Sequence, residues 1–166
     1  MTRANVAKFT LREKVRPSDR EAVRDIVSDT GMFDPEEVGV AVELVEAFLE
    51  RGAASGYQFL MADYGRRLLG YVCYGPVPGA ERRFEVYWIA VAKETQGRGL
   101  GRQLMTETEK RIRKAGGCRV YAETASRREY LPTRRFYLAA GYRKLGSLPH
   151  YYRQGDGKIT YVKDLG

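Results

Sequence analysis

The run from Ile89-Ala90-Val91 to Gln96-Gly97-Arg98-Gly99-Leu100-Gly101-Arg102 constrains this chain more than any other stretch. An apolar segment of strand character passes through a short turn into glycines. A helix pattern follows, with Leu100, Leu104, Met105, Ile112 and Ala115 at helical spacing. Glycines at a helix start let main-chain N–H groups approach a ligand with no Cβ in the way. Those first amides also carry the positive end of the helix dipole, so they attract phosphate. Arg98 and Arg102 add charge beside them. A P-loop would need Gly-Lys-Ser/Thr where Leu100-Gly101-Arg102 stands. A dinucleotide fingerprint would need two more residues before its third glycine and a place earlier in the chain.

Periodicity around this run predicts a mixed α/β domain. Thr10–Val15 reads as a strand, and Pro17-Ser18-Asp19 opens a helix to about Thr30, with Ala22, Val23, Ile26 and Val27 on one face. Asp34-Pro35-Glu36-Glu37 combines a capping Asp, a Pro at the first helical position and a Glu at the third, and starts a helix reaching about Arg51. Gln58–Tyr64 and Leu68–Tyr74 read as strands of a hairpin turning at Gly65-Arg66-Arg67, followed by a break at Gly75–Gly79. Phe84–Val91 is a further strand, whose apolar second half predicts burial on both faces. After the long helix, which Gly116-Gly117 stops, come a strand at Cys118–Thr124, a helix at Arg134–Ala140, and closing strands at Tyr142–Leu145 and Ile159–Lys163. The latter two flank a polar turn, Gln154-Gly155-Asp156-Gly157.

A length of 166 residues fits one domain, 1–166, and 12 Tyr, 6 Phe and one Trp are ample for a core. No apolar run approaches the ~18–20 residues of a membrane span, and the basic start lacks an apolar signal region. Two cysteines exclude a disulfide scaffold, and with a single His they are too few for a structural zinc site, so no metal is expected. A reducing cytoplasm is the expected compartment. The net charge is +8, unevenly spread. Residues 32–50 hold six acids and no base, whereas residues 97–166 hold 16 bases and six acids. This suits an anionic cofactor and a cationic substrate better than nucleic acid, which draws base onto one face without such a counterweight.

Gln96, Gly99 and Gly101 behind Ile-Ala-Val, with Phe136-Tyr137-Leu138-Ala139-Ala140-Gly141-Tyr142 downstream, resemble the two motifs of the GNAT superfamily of acyl-CoA-dependent acyltransferases. The resemblance covers roughly residues 8–165. It implies an α/β (α+β) fold in which a mixed, mainly antiparallel central sheet is splayed between strands four and five and flanked by helices. It also implies that acetyl-CoA lies in the splay as co-substrate. Its pyrophosphate would rest on the amides of Gly97, Arg98, Gly99, Leu100, Gly101 and Arg102 behind Gln96, and its pantetheine would pair with Ile89, Ala90 and Val91. Where members carry an Asn, this chain has Tyr130, with Ser126 as the other candidate stand-in.

The implied reaction moves an acetyl group from acetyl-CoA to a primary amine by direct attack in a ternary complex. No protein nucleophile is then needed. Positioning of two bound reactants can supply ~7–11 kcal/mol of the barrier, and a main-chain N–H of Ile89–Val91 can serve the oxyanion. The resemblance assigns Tyr137 the role of general acid to the leaving thiolate. Two carboxylates compete as base, with a water relay using neither as the third alternative: Glu85 on the fourth strand, favoured because Tyr87 and Ile89 share its face, and Glu123 at the end of the fifth, expected across the splay from Glu85. The acidic helix would draw in the amine, and His150-Tyr151-Tyr152 would contribute from the last loop, with His150 a surface residue. Acceptor identity and acyl length are not fixed by the sequence, and a homodimer is left open. The rival reading is a catalytically weak acyl-CoA-binding or nucleic-acid-associated module, with Tyr121, Tyr130 and Tyr137 among arginines.

Overall fold

The computed structural model describes residues 8–166; the basic start at Met1–Ala7 lies outside the described residues. In chain order the elements are β1 (Thr10–Arg12), α1 (Asp19–Asp29), α2 (Pro35–Arg51), β2 (Gln58–Tyr64), β3 (Arg67–Pro76), β4 (Arg83–Val91), α3 (Leu100–Lys114), β5 (Arg119–Ala125), α4 (Leu131–Ala139), β6 (Arg143–Arg153) and β7 (Asp156–Asp164). The strands form one sheet in the order β1-β2-β3-β4-β5-β7-β6. β4 and β5 run parallel, and the ladders β1–β2, β5–β7 and β6–β7 are antiparallel. The β4–β5 ladder runs from Arg83↔Arg119 to Val86↔Ala122, whereas β5 stays paired with β7 through Ala125↔Lys158. This is the expected mixed, mainly antiparallel sheet, opening between strands four and five. Among the described residues no helix is long and apolar enough to cross a membrane.

Contacts divide the chain into two compact units, Met1–Cys73 with Trp88–Leu104, and Tyr74–Tyr87 with Met105–Gly166. In the first, α1 turns Val23, Ile26 and Val27 inward, and β2 and β3 bury Phe59, Leu60, Met61, Tyr71 and Val72. Its entry is fixed by charge. Arg12 grips buried Asp19 through two bonds of 2.7 and 2.8 Å and reaches buried Asp63 at 2.6 Å. The cap of α2 forms as its sequence dictates, with the Glu37 N–H donating to Asp34 Oδ1 (2.9 Å) and the Asp34 N–H to Glu37 Oε2 (2.8 Å). Such a box contributes about 1 kcal/mol.

The second unit is centred on Phe84, Val86, Met105, Ile112, Val120, Tyr137, Tyr142, Tyr161 and Val162. Glu109 of α3 lies buried, accepting from the Tyr142 hydroxyl at 3.1 Å and from Lys163 Nζ at 2.9 Å. Lys163 also donates to the Ala140 carbonyl at the end of α4 (2.8 Å). Every residue of β6 is exposed, as befits an edge strand, and its bulges, Pro149 and basic side chains blunt that edge.

Several boundaries move. α4 starts at Leu131 rather than Arg134, because Pro132 sits in the first turn, where its missing N–H costs nothing. β1 ends at Arg12, and β3 continues through Gly75-Pro76. β6 and β7 extend each other to a two-residue turn at Gln154-Gly155. Burial of β4 on both faces is corrected: of Tyr87–Val91 only Ala90 is buried, and the four others are half-buried. The ladder to β5 ends at Val86, so these residues lose the strand cover that apolar content alone suggested.

Candidate functional site

In the first unit, the chain leaves β4 through Ala92, whose N–H donates to the Leu69 carbonyl at 2.7 Å, and makes a 3-10 turn at Lys93–Thr95. Gly97 (φ +73) and Gly99 (φ +87) then take left-handed conformations, and a Cβ at either would meet no atom within 4 Å. Here glycine answers a backbone demand and leaves the space above the main chain clear. As the chain enters the helix, the Arg98 N–H donates to the Thr95 carbonyl at 3.3 Å and the Gln103 N–H to the Gly99 carbonyl at 3.0 Å. Gly97, Arg98, Gly99 and Arg102 are exposed, Gly101 is half-buried and Leu100 is buried. The Leu100 side chain therefore anchors the helix, and only its main chain is available to a ligand. Gln96 differs from the expectation in detail: its Nε2 donates to the Val91 carbonyl at 3.4 Å, tying the cradle to the end of β4. A cleft of about 630 Å³ in this unit is lined by Asp25, Asp29, Tyr64, Arg66, Arg67 and Glu94 among others, and none of the expected site residues lines it.

In the second unit, the two candidate bases come together. Strand partners share a face, as do residues two apart on one strand. Glu85 pairs with Tyr121, so Glu123 lies on Glu85's face, which corrects the expected separation across the splay. Glu85 is half-buried, and its carboxyl is held above the ordinary carboxylate range, first by burial and then by Glu123, against the opposing pull of Lys158. Glu123 is exposed and ion-paired, with Lys158 Nζ 3.2 Å from its Oε1. The Lys158 ammonium also stands 4.3 Å over the Tyr151 ring, whose centroid is 5.0 Å from that of Tyr152. Burial, then Glu123, pushes the Tyr152 phenol up.

Tyr137 occupies a different setting within the same unit. Its side chain is buried, with Phe136, Tyr142 and Tyr161 at ring centroid distances of 5.6, 5.5 and 5.7 Å. Burial, with Tyr161 adding to it, raises its phenol well above the ordinary value, so it stays protonated at neutral pH. The stand-ins for the missing Asn are occupied. Ser126 Oγ accepts from the Gly157 N–H at 2.7 Å, and Tyr130 is buried beneath Arg127, which is 4.8 Å from its ring. Arg134 is bonded to the Ala125 and Arg127 carbonyls at 2.9 and 3.0 Å. His150 is exposed with φ +59, and its Nδ1 accepts from the Gly155 N–H at 2.9 Å, which makes it a turn residue.

Lys158 was not singled out from the sequence. Alternation places it with Thr160 on one face of the last strand, but nothing local says that this face meets Glu123.

A glycine-opened helix start follows a strand in a mixed sheet whose parallel pair parts at strands four and five, and this is the GNAT acetyltransferase fold. Residues 21–142 match the model described as the acetyltransferase (GNAT) family, and the chain belongs to that family. It is 45% identical to a solved GNAT-family chain from Desulfovibrio desulfuricans, with a TM-score of 0.93, covering 96% of this chain and all of the other. It is also 30% identical over 105 residues to an uncharacterized N-acetyltransferase of Methanocaldococcus jannaschii, covering 63% of this chain and 65% of that relative's length. An aminoglycoside 6'-N-acetyltransferase complexed with coenzyme A shares the fold at 18% identity, with a TM-score of 0.74 and coverage of 95% and 97%.

Proposed function

We propose that residues 1–166 act as one acetyltransferase domain that moves an acetyl group from acetyl-CoA to a primary amine by direct attack in a ternary complex. The observation that carries this reading is the pair of left-handed, unobstructed glycines, Gly97 and Gly99, ahead of α3. They present main-chain donors at a positive helix end, which suits a pyrophosphate. Arg98 and Arg102 supply charge from the same turn, and Ile89–Val91 offers strand edge to the pantetheine amides. The coenzyme A complex of the aminoglycoside enzyme with this fold supports the choice of co-substrate.

The acceptor enters as an ammonium and gives a proton to a carboxylate, Glu85 or Glu123. Its nitrogen attacks the thioester carbonyl, the C–S bond breaks, and Tyr137 protonates the departing thiolate. The nitrogen's second proton returns to the phenolate through solvent. A phenol kept protonated by burial is suited to this donation, and a carboxylate with a raised pKa is suited to hold the first proton. Release of the CoA thiol from acetyl-CoA against a panel of amines tests the reaction, and titration calorimetry with coenzyme A tests the cradle. Heat with coenzyme A but no thiol release with any amine would leave a binding module. No heat would sink the whole assignment.

A further inference from the structure

Two carboxylates on one face of a sheet compete for protons, and only one is needed as a base. Lys158 sits where it can separate them. Along β7 it pairs with Ala125, and Thr160 pairs with Glu123, so Lys158, Glu123, Tyr121 and Glu85 share one face of the sheet. Its ammonium is fixed from two sides, by the Glu123 carboxylate at 3.2 Å and by the Tyr151 ring at 4.3 Å. Burial pulls its pKa down, but Glu123 and Tyr151 together outweigh that pull and the net shift is upward, so it stays charged. On Glu85 the same ammonium acts through space, as a pull weaker than burial and Glu123.

We propose that Lys158 is a positioning residue that assigns the two carboxylates different roles: it claims Glu123 as a fixed ion-pair partner and leaves Glu85 as the group that takes the proton from the acceptor amine. The inference rests on the acetyl-transfer reading and deepens it. Besides Glu123 and Lys158, the same registers put Arg83, Arg119 and Asp164 on this face, with Tyr87, Tyr121, Tyr151 and Tyr152 on or beside it. Arg119 pairs with Asp164 at 2.6 Å, Arg83 donates to the Glu81 carbonyl and to Cys118 Sγ at 3.1 Å each, and Asp156 is engaged by Arg127 at 3.3 Å. Lys158 is the cation held against Glu123.

The test titrates the Glu85 side-chain carboxyl by carbon NMR in the full chain without substrate, beside the pH profile of kcat/KM. In Lys158→Met the Glu85 midpoint should move to higher pH, because Glu123 then repels it uncompensated. The acid limb of kcat/KM should move the same way, and Lys158→Arg should restore both. Should Lys158→Met fail to fold, Glu123→Gln gives the complementary reading: the Glu85 midpoint falls towards the ordinary carboxylate range, whereas Glu85→Gln loses the acid limb. An unmoved Glu85 midpoint in Lys158→Met, or an unmoved one in Glu123→Gln, overturns the proposal. The NMR midpoints need no activity. A chain that turns over no amine yet shows the shift refutes the acetyl-transfer reading alone, and turnover without the shift refutes the role of Lys158 alone.

Discussion

The first unit carries 13 basic and 13 acidic residues, and the second carries 16 and eight, so the whole net charge of +8 belongs to the second. Their candidate sites differ in the same sense. The cradle before α3 works through main-chain amides and backbone angles, with side chains that are exposed or turned inward to anchor the helix. The carboxylate face of the second unit works through side chains whose charges are balanced against one another. A main-chain site is sensitive to φ and tolerant of side-chain identity. A side-chain site is sensitive to a single change of charge. Unit 1 is electrically neutral as a whole, and the start of a helix can attract an anion without a net charge on the unit.

The comparison breaks most readily at Tyr137. Tyr137→Phe should lower kcat by about 100-fold or more while leaving the dissociation constant for acetyl-CoA unchanged, measured by steady-state kinetics and calorimetry. A matched loss of cofactor affinity would make Tyr137 part of the binding surface instead.

Next in size is the buried pair behind it. Lys163→Met leaves Glu109 buried without its ammonium and should cost about 3–5 kcal/mol of stability, read as a drop in urea midpoint at unchanged m. A variant as stable as the parent would mean that the Tyr142 hydroxyl alone satisfies Glu109.

A smaller effect is expected in the first unit. Gly99→Ala forces a Cβ into a left-handed backbone at a cost of about 1–2 kcal/mol. That should weaken acetyl-CoA binding by roughly tenfold with kcat nearly kept. Arg98→Gln, a side-chain change on the same turn, should weaken it less. The reverse order would show that charge dominates the cradle.

Glu85 gives a pH test with a defined sign. Its folded-state pKa lies above the unfolded one, so the stability it contributes is present below the unfolded value and is lost as pH rises through the folded value. Glu85→Gln should therefore melt slightly higher than the parent at neutral pH, with the gap closing in acid. A gap that widens in acid would contradict the burial of this carboxyl.

The smallest effect belongs to the acidic helix. Glu43 and Glu46 are exposed, and Glu46 has only a long contact of 3.7 Å to Arg20. Neutralising both should raise KM for the amine a few-fold at low salt and leave KM for acetyl-CoA alone. An unchanged amine KM would remove α2 from substrate capture.

Much of the architecture was legible because its causes are local. The capping box at Asp34 and Glu37 joins residues three apart, the cradle glycines answer their own backbone angles, and the order of strands and helices follows from periodicity. α4 escaped at its start because Leu131-Pro132 reads as loop until the helix that follows is seen to accept a proline. Full burial of β4 was misread because apolar content reports what a strand would bury, and neighbouring strands decide what they cover. The candidate site was legible where it is made of contiguous chain and illegible where it is made of pairs. Glu123 and Lys158 stand 35 residues apart, Glu109 and Lys163 54 apart, and Arg12 and Asp63 51 apart.

By itself, the amino-acid sequence determined the family, the order of elements and the phosphate-seeking turn, since each is encoded within a few consecutive residues. Only the tertiary structure decided that Glu85 and Glu123 share a face, that a lysine from the last strand stands against one of them, and that Tyr137 keeps its proton. Register and burial are properties of strands brought together from distant parts of the chain, and charge interactions fall off over distances that only the folded chain defines.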